Sequence, residues 1–115
     1  MTLALHRSGD FNRDFDLQYR WYLEQVGEAV AERYLNAVLA TLRLLATQPD
    51  LGRRRKFRHS ALRGIRSCRL ASPFGVHLIF YRHDSAELFA ERLMHGARDL
   101  PRRLAEISID KPARL

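Results

Sequence analysis

The spacing of apolar residues predicts two amphipathic helices in the first half of the chain. In both segments apolar side chains recur every three or four residues, which places them on one helical face. In the first helix, capped by Asp10, this face comprises Phe11, Phe15, Tyr19, Tyr22 and Val26. In the second, over residues 28–46, it comprises Val30, Tyr34, Val38, Thr41 and Leu45, with Leu35, Leu39 and Leu42 beside it. Gly27 interrupts the pattern between them, so the sequence predicts an αα-hairpin.

Alternating apolar and polar residues predict β-strands on both sides of this hairpin. Residues 1–7 form the first strand, with Leu3 and Leu5 on one face. After the hairpin, residues 49–52 predict a turn, and a basic loop extends to about residue 63. Further strands are predicted at residues 64–70 and 74–82. Both faces of the last one are partly apolar, which indicates a central strand.

Residues 86–94 are open to two interpretations. They are strong helix formers, and Ser85 and Gly96 would cap and end such a helix. Residues 82–85 fit equally well as a hairpin turn, which would make residues 86–94 a strand. Beyond them, a short turn or helix is predicted at residues 100–107.

The composition is that of one globular domain. Of 115 residues, 46% are apolar and 29% are charged, which excludes disorder of the whole chain. We expect the domain to span residues 1–107, followed by a tail at 108–115. No apolar run approaches the length of about 20 residues that crosses a bilayer, so no membrane partner is expected. A lone Cys68, interpreted as a small buried apolar residue, fits a reducing compartment and indicates a cytoplasmic protein.

Positive charge is concentrated in the middle of the chain. The formal net charge is +7, yet residues 51–82 contain no Asp or Glu. This acid-free segment contains Arg53, Arg54, Arg55, Lys56, Arg58, Arg63, Arg66, Arg69 and Arg82. Such a block attracts a polyanion or an acidic protein segment. A solvated loop and one polar strand face would explain it as well, and the sequence leaves both interpretations open.

Few residues offer catalytic chemistry. The histidines and the single cysteine lack metal-ligand spacing and the glycines are scattered, so neither a metal site nor a phosphate-binding loop is predicted. His95 and Arg98 have the residue types for acid–base chemistry and phosphate stabilisation in RNA cleavage. Alternatively, Gly96 turns the chain at positive φ, and Arg98 and Asp99 hold the corner. We favour this structural role, because no second carboxylate or Tyr lies nearby.

Three short motifs follow the hairpin in a distinctive order. They are Gly64-Ile65-Arg66-Ser67, Leu78-Ile79-Phe80-Tyr81-Arg82 and His95-Gly96-Ala97-Arg98-Asp99-Leu100. Together with the hairpin they resemble the RelE/ParE toxin superfamily, most closely its ParE branch, over residues 1–104. The resemblance implies an α+β fold: a strand, the αα-hairpin, and then a three-stranded antiparallel meander packed against it. It also implies that residues 86–94 are the last strand.

The two branches of the superfamily imply different functions. RelE-like members are ribosome-dependent mRNA interferases with a Tyr or His near the C-terminus, whereas ParE-like members inhibit DNA gyrase by protein contact. Here Leu104 stands where the ribonuclease branch places its aromatic acid–base, and no Tyr or Phe follows Phe89. The resemblance therefore favours a gyrase inhibitor without catalytic residues of its own. The alternative is an mRNA interferase that uses His95, Arg98, Arg66 and Arg82.

Both branches are neutralised by a cognate antitoxin, so the resemblance implies a hetero-oligomer with a ParD-like partner and no cofactor. The acid-free segment would attract an acidic, disordered antitoxin segment, which would become ordered on binding. Trp21 lies off the apolar face of the first helix and offers contact area, although partial exposure alone would also explain it. The residues expected to bind antitoxin or target are Trp21, Arg53, Arg54, Arg55, Lys56, Arg58, Arg63, Arg66 and Arg69.

Overall fold

Two helices and five strands make up the described part of the chain. The structure, a computed structural model, describes residues 2–56 and 62–96. In chain order the elements are β1 (Ala4–Arg7), α1 (Gly9–Gln25), α2 (Glu28–Thr47), β2 (Arg53–Arg54), β3 (Arg66–Arg69), β4 (His77–His83) and β5 (Glu87–His95). The predictions made for Arg58, Arg98, Leu104, the segment 100–107 and the tail at 108–115 lie outside the described residues.

Ser8 caps α1, so the prediction of Asp10 as the cap was wrong. The Ser8 hydroxyl accepts a hydrogen bond from the Phe11 amide at 2.9 Å and donates one to the Glu91 carbonyl at 2.8 Å. It therefore satisfies an open amide of the first helical turn and ties the helix to β5. The contact with Glu91 spans most of the chain and leaves no local signal. Asp10 lies in the first turn, buried, and pairs with Arg13.

The two helices form the predicted hairpin. Most of the predicted α2 stripe is buried, whereas on α1 only Phe11 is fully buried and Phe15, Tyr19 and Tyr22 are half-buried. Gly27 joins them at φ 120°, a backbone conformation that favours glycine. Phe11, Tyr34 and Leu45 are fully buried in the core between the hairpin and the sheet. Val26 is exposed instead, because α1 ends at Gln25 and Val26 stands just past its last turn.

The five strands form one sheet in the order β1-β5-β4-β3-β2. β1 runs parallel to β5, and the other neighbours are antiparallel. This confirms the α+β arrangement of strand, helical hairpin and three-stranded meander. The prediction missed β2, a two-residue strand within the basic loop that pairs with β3. Such a short strand has no alternation of its own and exists only through that pairing.

Residues 87–95 form a strand, which settles the open segment against its local helix propensity. β5 is paired with β4 along most of its length and with β1 at Glu87–Ala90. Leu88, Ala90 and Leu93 are buried in the main core. Backbone pairing on both sides, together with this burial, overrides the local propensity.

Apolar clusters cover both faces of the centre of the sheet. Ile79 and Tyr81 of β4 belong to the core beneath the helices, whereas Leu78 and Phe80 belong to a second cluster with Met94. Because successive side chains of a strand point to opposite faces, the second cluster lies on the face away from the helices. The predicted central position of β4 is thus confirmed.

At the edge, Leu3 is buried but Leu5 is exposed, so their predicted shared face is only partly covered. Cys68 is half-buried against the main core, and burial raises the pKa of its thiol.

Candidate partner-binding surfaces

A groove of about 730 Å³ opens between α1 and the neighbouring ends of β4 and β5. We call it the α1/β5 groove. Its rim carries Leu17, Trp21 and Val76, whose exposed fractions are 70%, 51% and 50%. Leu17 and Trp21 are four residues apart on α1 and so share one face of the helix. This apolar rim around a concave surface is typical of a contact site for another protein.

A histidine lies in the wall of the α1/β5 groove and is held by its neighbours. His77 is only 2% exposed, and its Nε2 shares a hydrogen bond of 3.0 Å with the hydroxyl of Tyr22. The His95 ring meets it edge-on, with 5.4 Å between the ring centroids. Burial and, to a lesser extent, His95 lower the pKa of His77 from 6.5 to about 4. His77 is therefore neutral at pH 7, and its hydrogen bond fixes Tyr22 of α1 against β4.

The arginine in the floor of the α1/β5 groove is already neutralised. Arg92 donates two hydrogen bonds to the Asp14 carboxylate, from Nε at 2.6 Å and from Nη2 at 2.9 Å. The same carboxylate accepts the Leu93 amide at 3.0 Å. The side chains of Arg92 and Asp14 are 13% and 15% exposed, so the pair is shielded from water. These contacts bind α1 to β5 and leave Arg92 little capacity for an anionic ligand.

A second surface, on β2 and β3, consists of cations. We call it the basic surface; its members are the exposed Arg53 and Arg69 and the half-buried Arg55, on the face of the sheet away from the helices. Arg54 is exposed on the opposite face, beside Arg66, and Lys56 is exposed after β2. Arg55 Nε donates to the Ser67 hydroxyl at 2.7 Å, and the guanidinium lies 5.9 Å from the centroid of the Phe80 ring. Burial, and then the charges of Arg53 and Arg69, lower the pKa of Arg55. These arginines are thus close enough to repel one another.

Tyr81 and Arg66 fasten the turn that leads into the basic surface. The Tyr81 hydroxyl accepts the Gly52 amide at 2.8 Å and donates to the Pro49 carbonyl at 2.7 Å. Arg66 donates to the Gly52 carbonyl at 2.9 Å and forms an ion pair with Asp50 at 3.2 Å. Arg66 therefore serves the turn, and the residue pattern gave no sign of this role.

The structure places the described members of the predicted site in different parts of the molecule. Trp21 and His95 lie at the α1/β5 groove, and Arg53, Arg55 and Arg69 form the basic surface, whereas Arg54 and Lys56 are exposed outside it. Arg63 is exposed in the turn before β3, and its carbonyl accepts a hydrogen bond of 3.4 Å from Arg82. The glycine after His95 has φ 59°, as the structural interpretation of that corner predicts.

Of the three described residues of the alternative ribonuclease site, His95 lies apart from the other two. His95 stands opposite His77, at the first residue of β4, whereas Arg82 lies five residues further along that strand. At about 3.4 Å per residue this is a separation of about 17 Å. Arg66 is opposite Tyr81, near the Arg82 end. Within residues 2–56 and 62–96, therefore, His95 has neither Arg66 nor Arg82 beside it.

The described residues contain neither a candidate metal site nor a candidate membrane span. Among them, no group of three His, Cys, Asp or Glu side chains is arranged to hold a metal ion. No helix in this part of the chain is both long and apolar enough to cross a membrane.

Comparison with known proteins identifies the family. A family model described as the ParE toxin of the type II toxin–antitoxin system parDE matches residues 5–100. Among curated proteins, no match was found.

Two solved structures have a similar fold. A chain of the chromosomal ParDE toxin–antitoxin system from P. aeruginosa has a TM-score of 0.67 and 17% identity, covering 84% of this chain and 98% of that one. A chain of the DinJ-YafQ toxin–antitoxin complex from E. coli has a TM-score of 0.53 and 15% identity, covering 83% and 93%. At such identities these similarities establish the fold, whereas the family-model match spans most of the sequence. The chain therefore belongs to the ParE toxin family of type II toxin–antitoxin systems.

Proposed function

We propose that this toxin inhibits DNA gyrase by protein contact in the cytoplasm, without a cofactor, and that a ParD-like antitoxin neutralises it in a hetero-oligomeric complex. The observation that carries the proposal is the rim of the α1/β5 groove. Trp21 is the one large aromatic apolar side chain that is exposed in the described residues, and Leu17 and Val76 accompany it. Tryptophan is among the side chains that supply most of the binding energy in many protein interfaces, and apolar neighbours help to exclude water from the contact.

Two polar side chains of the α1/β5 groove, His77 and Arg92, support a contact role over a catalytic one. Acid–base catalysis on a phosphodiester requires a titratable group near pH 7 beside an available cation. His77 has a pKa of about 4 and is bonded to Tyr22, while Arg92 is held by Asp14. Both side chains thus serve the packing of α1 on the sheet.

The antitoxin is expected to be acidic and disordered before it binds. The chain carries a net charge of +7, and opposite charge accelerates and orients association. The similarity to a chain of a ParDE system supports a partner of the ParD type. We expect the gene next to this one to encode that partner, and its co-expression to restore growth.

Growth arrest and gyrase activity, measured on matched histidine variants, test the proposal. We expect the wild-type chain to stop growth on induction and, when purified, to inhibit supercoiling of plasmid DNA by gyrase. His95→Ala should change both effects in parallel and by no more than severalfold, because His95 lines the groove but has no catalytic role in the proposed function. His6→Ala is the control, because His6 is an exposed histidine on β1 that pairs with Glu87 at 3.0 Å, away from the groove.

The same variants distinguish the mRNA interferase alternative. If His95→Ala or Arg98→Ala abolishes growth arrest with the fold intact, and the wild-type chain produces codon-positioned cuts in mRNA, gyrase inhibition is wrong. Folding is checked by circular dichroism and thermal unfolding. If His6→Ala also loses growth arrest, the growth assay reports protein stability. Inhibition of purified DNA gyrase by the wild-type protein then decides between the two functions.

A further inference from the structure

The basic surface holds cations that no carboxylate in the described part of the chain neutralises. Among the described residues, no carboxylate lies within ion-pair distance of Arg53, Arg55 or Arg69, and Asp50 is engaged by Arg66 and His83. Like charges held close together raise the energy of the free protein. A ligand of high negative charge density would relieve this repulsion.

The sheet sets the spacing of these cations. Arg53 pairs with Ser67 in the β2–β3 register, and Arg69 lies two residues further along β3, about 7 Å away along the strand. Arg55 approaches the same place, because its Nε is bonded to Ser67 and its guanidinium faces Phe80. Ser67 and Phe80 are buried, so this end of the cluster is anchored to a rigid part of the sheet.

The chemistry of the basic surface favours nucleic acid over an acidic protein. Protein interfaces contain arginine as well, but there it accompanies aromatic and apolar side chains at the centre of the contact. Among the described residues, the exposed aromatic apolar side chain, Trp21, lies at the α1/β5 groove, whereas the basic surface consists of Arg53, Arg55 and Arg69. Interfaces with DNA are polar and strongly positive, and the arginine fork matches phosphate oxygens.

We propose that the basic surface binds the phosphate backbone of duplex DNA through Arg53 and Arg69, so that the toxin contacts DNA as well as its protein target. The choice of a duplex rests on the proposed function, because gyrase holds double-stranded DNA while it cleaves it. Phosphate contacts of this kind carry no base specificity. They would add affinity to a complex in which DNA is already present.

A salt titration with a matched pair of variants tests this proposal. The binding variant is Arg53→Gln with Arg69→Gln; the control is Arg33→Gln with Arg43→Gln, which removes the same charge from exposed positions of α2. The probe is a fluorescent 30-base-pair duplex, and anisotropy is measured with the full chain between 50 and 300 mM KCl. We expect the slope of log K against log salt to fall by about 2 in the binding variant, with affinity about tenfold lower at 100 mM KCl. The control should stay within about twofold of wild type.

Competing ligands decide what the basic surface recognises. Equal duplex affinity in the two double variants would overturn the proposal. So would tighter binding of an oligoglutamate peptide of matched charge, or of a single-stranded RNA, than of the duplex at the same salt concentration.

A measurement with gyrase separates this inference from the proposed function. Binding to purified gyrase without DNA should be unchanged in Arg53→Gln/Arg69→Gln, while the cleaved DNA that accumulates at a fixed toxin concentration should fall severalfold. If the wild-type chain does not bind gyrase at all, the proposed function fails, and the duplex titration still decides the DNA contact.

Discussion

The charged side chains of the α1/β5 groove differ from those of the basic surface in whether they have a partner. In the groove, Arg92 is bonded twice to Asp14 and His77 is kept neutral by burial. On the basic surface, Arg53 and Arg69 stand beside Arg55 without a carboxylate partner in the described part of the chain. The first arrangement joins helix to sheet, and the second leaves charge available.

This difference separates residues that stabilise the fold from residues that are free to bind. A charge that is buried with its partner costs free energy to expose when the partner is removed. An exposed charge without a partner contributes little to folding. Substitutions in the groove should therefore lower the free energy of unfolding, whereas substitutions on the basic surface should weaken DNA binding. Measuring both quantities for each variant tests this difference.

The largest effect is expected for Asp14→Ala. It leaves Arg92 shielded from water without its carboxylate and removes the acceptor of the Leu93 amide, so unfolding should become easier by about 3 kcal/mol. Asp16→Ala is the control, because Asp16 is exposed on the same helix. Both are measured by urea denaturation at pH 7. Equal losses of unfolding free energy in the two variants would show that the Asp14–Arg92 pair does not stabilise the fold.

The next effect is expected at the turn that carries β2. A methyl group on Gly52 would overlap the hydroxyl of the buried Tyr81, so Gly52→Ala should cost about 2 kcal/mol of stability. It should also weaken duplex DNA binding, because the basic surface follows this turn. Gly75→Ala is the control, since its methyl would meet only the Leu70 carbonyl at 3.7 Å. Unchanged melting of Gly52→Ala would contradict the close packing.

His77 should make stability depend on pH. Its pKa is about 4 in the folded chain and near 6.5 when unfolded, so the unfolded state binds the proton first. Neutral His77 contributes fully to the stability of the fold above pH 6.5. As the pH falls to 4, the free energy of unfolding decreases by about 2 kcal/mol, a figure reduced to allow for water in the groove. Tyr22, Tyr34 and His95 face this ring. The difference between wild type and His77→Gln should shrink over this range; a constant difference would contradict the assignment.

The smallest effect is expected from the basic surface. Arg53→Gln and Arg69→Gln should each change the free energy of unfolding by less than about 0.5 kcal/mol. Thermal unfolding at pH 7 measures this. A larger loss would mean that these cations are part of the fold, and the contrast between the two regions would disappear.

Local patterns predicted the helices well, because each helix buries one face of its own sequence. Periodicity located α2 to within one residue of its end, and Gly27 marked the turn. The same reasoning failed at the cap of α1 and left β5 undecided. In both cases the deciding contact joins residues far apart in the chain, Ser8 with Glu91 and β5 with β1.

The candidate surfaces were predicted in part. Charge patterning found the cations of the basic surface, and the position of Trp21 off the helical stripe matches its exposure. Nothing in the local sequence indicated that Asp14 meets Arg92 or that Tyr22 meets His77, pairs separated by 78 and 55 residues. The clamp of Tyr81 and Arg66 on the turn before β2 was missed for the same reason.

The most direct test of the central claim is the amount of gyrase-cleaved plasmid DNA at increasing concentrations of purified toxin, with Trp21→Ala beside wild type. Trp21 is half exposed, so the variant should keep its fold. We expect cleaved DNA to rise to a plateau with wild type, and Trp21→Ala to require at least about tenfold more protein. If supercoiling remains intact at saturating wild-type toxin, although the same chain arrests growth in cells, the account of a gyrase-binding toxin is contradicted.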